Sequence, residues 1–136
     1  FDLGLAEERS QKNPVYYVQY AHARLSSILR KATEEGHGTL AGDLMLLAHS
    51  KERELIQELM FFPELVETVA TDYTVHKLPQ YAMKLADKFH SFYDACRVID
   101  SENNELTAAR LQLVRATQVV LAETLALMGI SAPEKM

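Results

Sequence analysis

The stretch "NPVYYVQYAHARLSSILRK" (residues 13–31) contains three tyrosines, one histidine, three basic residues and no acidic residue. It opens with Asn13 and Pro14, a typical helix start, because asparagine caps free N–H groups and proline leaves none unpaired in the first turn. The helix should continue to about Glu35. It should end at "GHGTLAG" (residues 36–42), where three glycines permit a turn.

The predicted first helix has two neighbouring faces. At about 100° per residue, with Tyr17 at zero, the aliphatic side chains fall between about 20° and 120° and form a core-facing surface. A second group, which we call the tyrosine stripe, lies beside it: Tyr17, Tyr20, Arg24, Ser27 and Lys31. Tyrosines at such a border commonly mark the edge of a core, with the ring buried and the hydroxyl in water. They can also stack on unpaired bases while arginine contacts a phosphate or stacks, so both interpretations stay open.

The rest of the chain also shows helical patterns. Helix starts are predicted at Ser50, Pro63 and Pro79, and a last helix follows the polar turn "DSENNE" and ends near Gly129. The helix after Pro79 places six side chains on one face: Ala82, Leu85, Ala86, Phe89, Tyr93 and Cys96. We find no alternating strand pattern of useful length and no internal repeat. The sequence therefore predicts an all-α, antiparallel helical bundle, with residues 1–136 as a single domain.

Composition and charge fit a small globular domain. The 136 residues are 48% apolar and 24% charged, with a net charge of −5. The charge is uneven, because residues 1–33 carry +2, residues 34–72 carry −7 and residues 73–136 are neutral. Overall acidity counts against a basic nucleic-acid-binding domain, but a local patch stays compatible because charges act within about 8–10 Å in salt. No apolar run approaches the roughly 20 residues of a membrane span.

The sequence carries few signals of cellular location. The chain begins with Phe1 and not with methionine, so we interpret it as a fragment of a larger protein. A basic-then-apolar leader is not visible. A single cysteine, Cys96, cannot build an internal disulfide framework and fits a reducing cytosol.

No residue pattern points to catalysis or to a metal site, and there is no glycine-rich phosphate loop. Asp87, His90 and Asp94 share a helical face, but one helix without a thiolate is a poor ligand set, which favours a surface histidine. Cys96 lies on an apolar stripe and should be buried and unreactive. Arg110 should pack its stem along the bundle or form an ion pair. The acidic middle segment should be solvated helix surface: Glu52, Glu54, Glu58, Glu64 and Glu67.

Three motifs, in this order, resemble one known family. They are the first-helix stretch quoted above, "FHSFYDACRVI" (residues 89–99) and "LALMGISAPEKM" (residues 125–136), preceded by "FDLGLAEERSQKNP" (residues 1–14). Together they resemble the C-terminal, DALR-type anticodon-binding domain of bacterial arginyl-tRNA synthetases over essentially the whole chain. The resemblance implies an α-helical bundle that docks against a Rossmann-type catalytic domain. It also implies recognition of the anticodon loop of arginine tRNA, with the middle cytosine as an important identity element.

The resemblance implies which residues bind the nucleic acid. Tyr17, Tyr20 and Arg24 match first-helix positions that face the anticodon loop, and Tyr93 and Met136 match further positions near it. Loop bases would unstack and pack against the two first-helix tyrosines. Arg24 would hold a phosphate or stack.

The resemblance places the chemistry outside this sequence. The catalytic domain, with its HIGH-like signature, is absent, so neither a catalytic residue nor a cofactor is expected in the chain itself. That domain would use ATP, with magnesium, and arginine to charge the tRNA. The full enzyme is expected to be a cytoplasmic monomer without membrane contact. One alternative remains: a helical protein–protein interaction module with the tyrosine stripe as its contact surface, whose binding would depend less on salt.

Overall fold

The computed structural model describes residues 13–37 and 41–136, and regular structure within these ranges is helical. The elements in chain order are α1 Pro14–Glu34, a 3₁₀ turn Leu44–Leu46, α2 Ser50–Met60, α3 Phe62–Asp72, α4 Lys77–Ala95 and α5 Asn104–Leu127. The predicted all-α helical fold is confirmed. The first motif segment, residues 1–12, and residues 38–40 of the glycine turn lie outside the described ranges.

Helix α1 begins and ends as its sequence predicts. The side chain of Asn13 accepts hydrogen bonds from the backbone N–H groups of Val15 at 3.1 Å and Tyr16 at 3.4 Å. Pro14 is the first helical residue, where its missing N–H costs nothing. Gly36 follows the helix with a φ of +86°, a conformation that glycine adopts without steric cost.

The middle helices follow the predicted proline boundaries with small shifts. Phe61 separates α2 from α3, and Pro63 is the second residue of α3. Helix α4 begins at Lys77, two residues before the expected start at Pro79. The difference has a simple reason, since the first helical N–H groups have no partner within the helix and proline is tolerated there.

Helix α5 packs against α1, α2, α4 and the 3₁₀ turn. Its end satisfies the last carbonyl groups through a Schellman motif. The N–H of Gly129 donates to the carbonyl of Ala126 at 3.0 Å, and the N–H of Ile130 donates to that of Leu125 at 2.9 Å. Gly129 has a φ of +72°, as its predicted place just after the helix requires.

The core lies between α1, α4 and α5. The predicted apolar face of α4 is buried in it or packs against it, and Phe89 and Phe92 are its largest fully buried side chains. Tyr81 is also buried, with its hydroxyl donating to the carbonyl of Glu58 at 2.6 Å. Cys96 is buried as predicted, and burial raises the pKa of its thiol, so the unreactive, protonated form is favoured.

The expectation of a solvated acidic segment is wrong for Glu52 and Glu58, whose exposures are 1% and 5%. Helix α2 packs against both α4 and α5, and this turns part of its polar face inward. Glu52 accepts a hydrogen bond from Arg110 Nε at 2.7 Å and another from the backbone N–H of His49 at 2.9 Å. Arg110 also donates to the carbonyl of Arg97 at 2.7 Å, so the ion-pair alternative for this arginine is the one that occurs.

Gly42 lies against the backbone of α5, where a side chain has no room. A Cβ atom at this position would be 2.4 Å from the nitrogen of Ala109 and 2.6 Å from the carbonyl carbon of Ala108. The Gly42 N–H also donates to Gln112 Oε1 at 2.9 Å. We expect Gly42→Ala to lower the free energy of unfolding by about 1–3 kcal/mol, because the segment must move away from α5. Urea unfolding measures this loss, and wild-type stability would contradict the close approach.

Candidate nucleic-acid interface

Four of the residues expected to bind nucleic acid lie together where α1 packs against α4. The guanidinium carbon of Arg24 is 4.7 Å from the ring centroid of Tyr93 and 5.7 Å from that of Tyr20. Arg24 Nη1 is also 3.4 Å from the Tyr20 hydroxyl. Arginine at these distances attracts both ring faces, so Arg24 links a tyrosine of α1 to a tyrosine of α4.

Within the described residues, Arg24 is not a member of any salt bridge. The ion pairs there involve other cations, namely Lys51, Lys84, Lys88 and Arg110. Arg24 is only partly buried, and an arginine held by two rings without a salt bridge keeps N–H groups available for a ligand. Such a group suits an incoming phosphate or a planar base.

Tyr17 and Tyr20 present different parts of their side chains. Tyr17 is half-buried, and its hydroxyl donates to Asp87 Oδ1 at 2.6 Å. Burial first, and then the hydrogen bond and negative charge of Asp87, raise the pKa of Tyr17, so its hydroxyl stays protonated. Tyr20 is 36% exposed, and its ring stacks at 6.4 Å on the ring of Tyr16. Tyr17 is therefore fixed by its hydroxyl, whereas Tyr20 offers an accessible ring.

His90 is a member of this cluster that the sequence did not identify. It was expected on the surface, but its ring is half-buried between the two tyrosines of the stripe. The centroid distances are 5.4 Å to Tyr17 and 6.3 Å to Tyr20. The available signal was its position three residues before Tyr93, which puts both side chains on one side of α4.

The C-terminal residues follow another face of α1. Each of three hydrogen bonds pairs a side chain of α1 with a backbone carbonyl: Gln19 with Ser131 at 3.0 Å, His22 with Pro133 at 2.8 Å and Arg30 with Glu134 at 3.1 Å. These α1 residues fall at about 140° to 220°, away from the tyrosine stripe. The cluster around Arg24 and His90 therefore holds four of the five predicted residues, whereas Met136 lies beyond this tail and is 54% exposed.

An open cavity of about 620 Å³ adjoins Tyr93. Its lining includes the cationic side chains of Lys31 and Arg97, one carboxylate from Glu35, and an apolar wall that contains Ile28. This volume lies within the roughly 300–1,000 Å³ that is usual for small-molecule sites. The tyrosine stripe therefore continues from an exposed stacking surface into a recess with cationic edges.

Other kinds of site receive no support from residues 13–37 and 41–136. These ranges contain no group of three or more histidine, cysteine, aspartate or glutamate side chains placed to hold a metal ion. Asp87 accepts the Tyr17 hydroxyl, and His90 packs against aromatic rings. Over the same described ranges, every helix is too short or too polar to cross a membrane.

The geometry defines a helical domain whose surface combines an exposed tyrosine ring with an arginine that forms no salt bridge within residues 13–37 and 41–136. The sequence model described as "DALR anticodon binding domain" matches residues 18–136. The chain therefore belongs to the DALR anticodon-binding domain family, which confirms the resemblance that its motifs carry.

The relatives agree with this assignment. The chain is 54% identical over 136 residues to the arginine–tRNA ligase of Dehalococcoides mccartyi strain BAV1, and 51% identical over 139 residues to that of Geobacillus kaustophilus. All of this chain is aligned in both cases, but it spans only about a quarter of each relative, 24% and 25%.

Solved structures of similar fold include two arginyl-tRNA synthetases. The arginyl-tRNA synthetase of Thermus thermophilus matches with a TM-score of 0.77 and 36% identity, over 96% of this chain and 22% of that one. The enzyme of Plasmodium falciparum matches with a TM-score of 0.71 and 31% identity, over 88% of this chain and 21% of that one.

Proposed function

We propose that this chain recognises the anticodon loop of arginine tRNA through Tyr17, Tyr20, Arg24 and Tyr93. The observation that carries the proposal is the position of Arg24 between Tyr20 and Tyr93, without a carboxylate partner in the described residues. Exposed rings and a planar cation in one cluster match what unpaired RNA offers, namely base faces and phosphates.

The four residues would have separate tasks. A loop base stacks on the exposed ring of Tyr20. Arg24 binds a phosphate or stacks on a base while its guanidinium stays in contact with the Tyr93 ring. Tyr17 forms the wall behind them, because Asp87 already holds its hydroxyl. An unstacked base can enter the adjoining cavity, where Lys31 and Arg97 attract the phosphates on either side.

Met136 belongs to the proposal with a different status. The tail that precedes it is bound to α1 by three hydrogen bonds, which gives the last residues a defined course along this helix. We propose that Met136 provides an apolar contact to a loop nucleotide beside the four-residue cluster. Truncation of this single residue should weaken binding less than the loss of Tyr20, because no ring stack is lost.

The overall negative charge is compatible with this function. Six acidic side chains lie on α2 and α3, whereas at the cluster and its cavity Arg24, Lys31 and Arg97 offset the carboxylates of Asp87, Asp94 and Glu35. Phosphates respond mainly to charges within about one Debye length, roughly 8–10 Å. The local balance of charge therefore repels RNA less at the tyrosine stripe than at the acidic helices.

The proposal extends to the larger protein through the relatives. We propose that the chain is the C-terminal part of an arginine–tRNA ligase that acts in the cytoplasm as a monomer. Its catalytic domain, which this chain lacks, would supply the sites for ATP with magnesium and for arginine. The anticodon-binding chain would contact that domain and contribute binding, not chemistry.

An NMR titration with an anticodon stem–loop of arginine tRNA tests the proposal. Resonances of Tyr17, Tyr20, Arg24 and Tyr93 should shift, at low salt more strongly than at moderate salt. A second stem–loop, with the middle cytosine replaced, should bind more weakly if bases are read. Equal binding of the two loops would mean that the site binds phosphates without recognising the middle base. No shifts at high RNA concentration would contradict the proposed function of this chain.

A further inference from the structure

The imidazole ring of His90 lies at the centre of the aromatic cluster. Its centroid is 5.2 Å from that of Phe89, which is fully buried, and 5.4 Å from that of Tyr17. On the other side it stacks on Tyr20 at 6.3 Å with an interplanar angle of 27°. The ring of His90 thus contacts one fully buried ring, that of Phe89, and both tyrosines of the stripe.

The charged groups around His90 come from two helices. Arg24 approaches from α1, while Asp87 and Asp94 lie on α4 together with His90 itself. Burial first, and then the Arg24 cation, lower the pKa of His90, whereas the two aspartates act in the opposite direction. A histidine with a lowered pKa in the folded state is neutral at pH 7 and destabilises the fold only when the pH falls below its usual range, near 6.5.

We propose that His90 is a positioning residue of this interface: its ring holds Tyr17 and Tyr20 in the orientation that loop bases require. The inference rests on the proposed function and adds a residue to it. Side chains that are already ordered lose less entropy when a ligand binds, so a fixed pair of rings binds more tightly than a mobile pair. His90 contributes through shape and stacking, and it does not contact a phosphate.

Three variants separate these roles. His90→Ala removes the supporting ring, His90→Phe keeps an aromatic ring without a titratable group, and His76→Ala is a matched control at the exposed start of the same helix. At pH 7.5 we expect His90→Ala to bind the stem–loop about threefold to tenfold more weakly than wild type. His90→Phe and His76→Ala should stay within about twofold of wild type, and the salt dependence should be unchanged in all three.

The free protein gives a second readout. Aromatic ¹³C relaxation should show more mobile Tyr17 and Tyr20 rings in His90→Ala, and mobility close to that of wild type in His90→Phe. Thermal unfolding of each variant tests whether the fold itself is retained. A variant that is folded but has mobile tyrosines and weaker RNA binding is the result expected from a positioning role.

Several outcomes would overturn the inference. Wild-type affinity in His90→Ala would do so, as would equal losses in His90→Ala and His90→Phe. A salt slope that falls by about 0.7 in His90→Phe, or wild-type binding that strengthens from pH 8 to pH 6 while His90→Phe binding does not, would show a direct phosphate contact. If the wild-type chain fails to bind the loop, the proposed function fails and this inference falls with it. If wild type binds and His90→Ala binds equally well, only the inference fails.

Discussion

Glu52→Gln should lower the free energy of unfolding by about 3–5 kcal/mol, because it leaves the charge of Arg110 buried without a counterion. The side chains of this pair are 1% and 13% exposed, with 2.7 Å between Arg110 Nε and Glu52 Oε2. The amide keeps the size of the carboxylate, so the loss is not a packing effect. Urea unfolding of the variant and of wild type under identical conditions measures the difference.

The control for this prediction is the same substitution in an exposed pair. Glu54 is 37% exposed and pairs with Lys51 at 3.2 Å and Lys88 at 3.4 Å. Glu54→Gln should cost far less than Glu52→Gln, because water screens the charges of an exposed pair. The double variant Glu52→Leu/Arg110→Met should recover much of the loss, since it removes both buried charges. A loss below about 1 kcal/mol in Glu52→Gln would contradict this account of the pair.

This ion pair matters for the interface as well as for stability. Arg110 also donates to the carbonyl of Arg97, in the segment that follows α4. That segment provides Cys96, Arg97 and Val98 to the lining of the cavity beside Tyr93. Through Arg110, the pair connects α2 and α5 to the segment that lines the cavity. Loss of the pair should therefore loosen the cavity wall at Arg97.

The helices could be predicted because their signals are local. Asn13 and Pro14 identify the start of α1, and Gly129 marks the end of α5, each through contacts within a few residues. The burial of Glu52 could not be predicted in this way. Its partner Arg110 lies 58 residues further along the chain, and only the packing of α2 on α5 brings the two together.

The site also combines residues that local sequence spacing predicts with contacts that depend on helix packing. Helical periodicity alone puts Tyr17, Tyr20 and Arg24 on one face, because all three lie on α1. It does not predict that the Arg24 guanidinium lies over the ring of Tyr93 on α4, or that His90 contacts both tyrosines of the stripe. These contacts depend on the packing of α1 against α4, which sequence spacing within one helix does not specify.

Arg24→Ala should weaken binding of the anticodon stem–loop by about 2–4 kcal/mol, roughly 30-fold to 1,000-fold, because it removes a charged contact and the planar link between two rings. The log–log salt slope should become shallower by about 0.7 if Arg24 contacts a phosphate. Fluorescence anisotropy with a labelled stem–loop, at several salt concentrations, measures both quantities. Arg53→Ala is the matched control, because it makes the same charge change on the exposed surface of α2.

Arg24→Lys separates charge from planarity in this prediction. Lysine keeps the positive charge, so the salt slope should remain close to that of wild type. It lacks the flat guanidinium that lies 4.7 Å from the Tyr93 ring centroid, so its affinity should fall between those of wild type and Arg24→Ala. An unchanged slope in Arg24→Ala with a large loss of affinity would mean that the arginine stacks on a base. Wild-type affinity in Arg24→Ala would contradict its role in RNA binding.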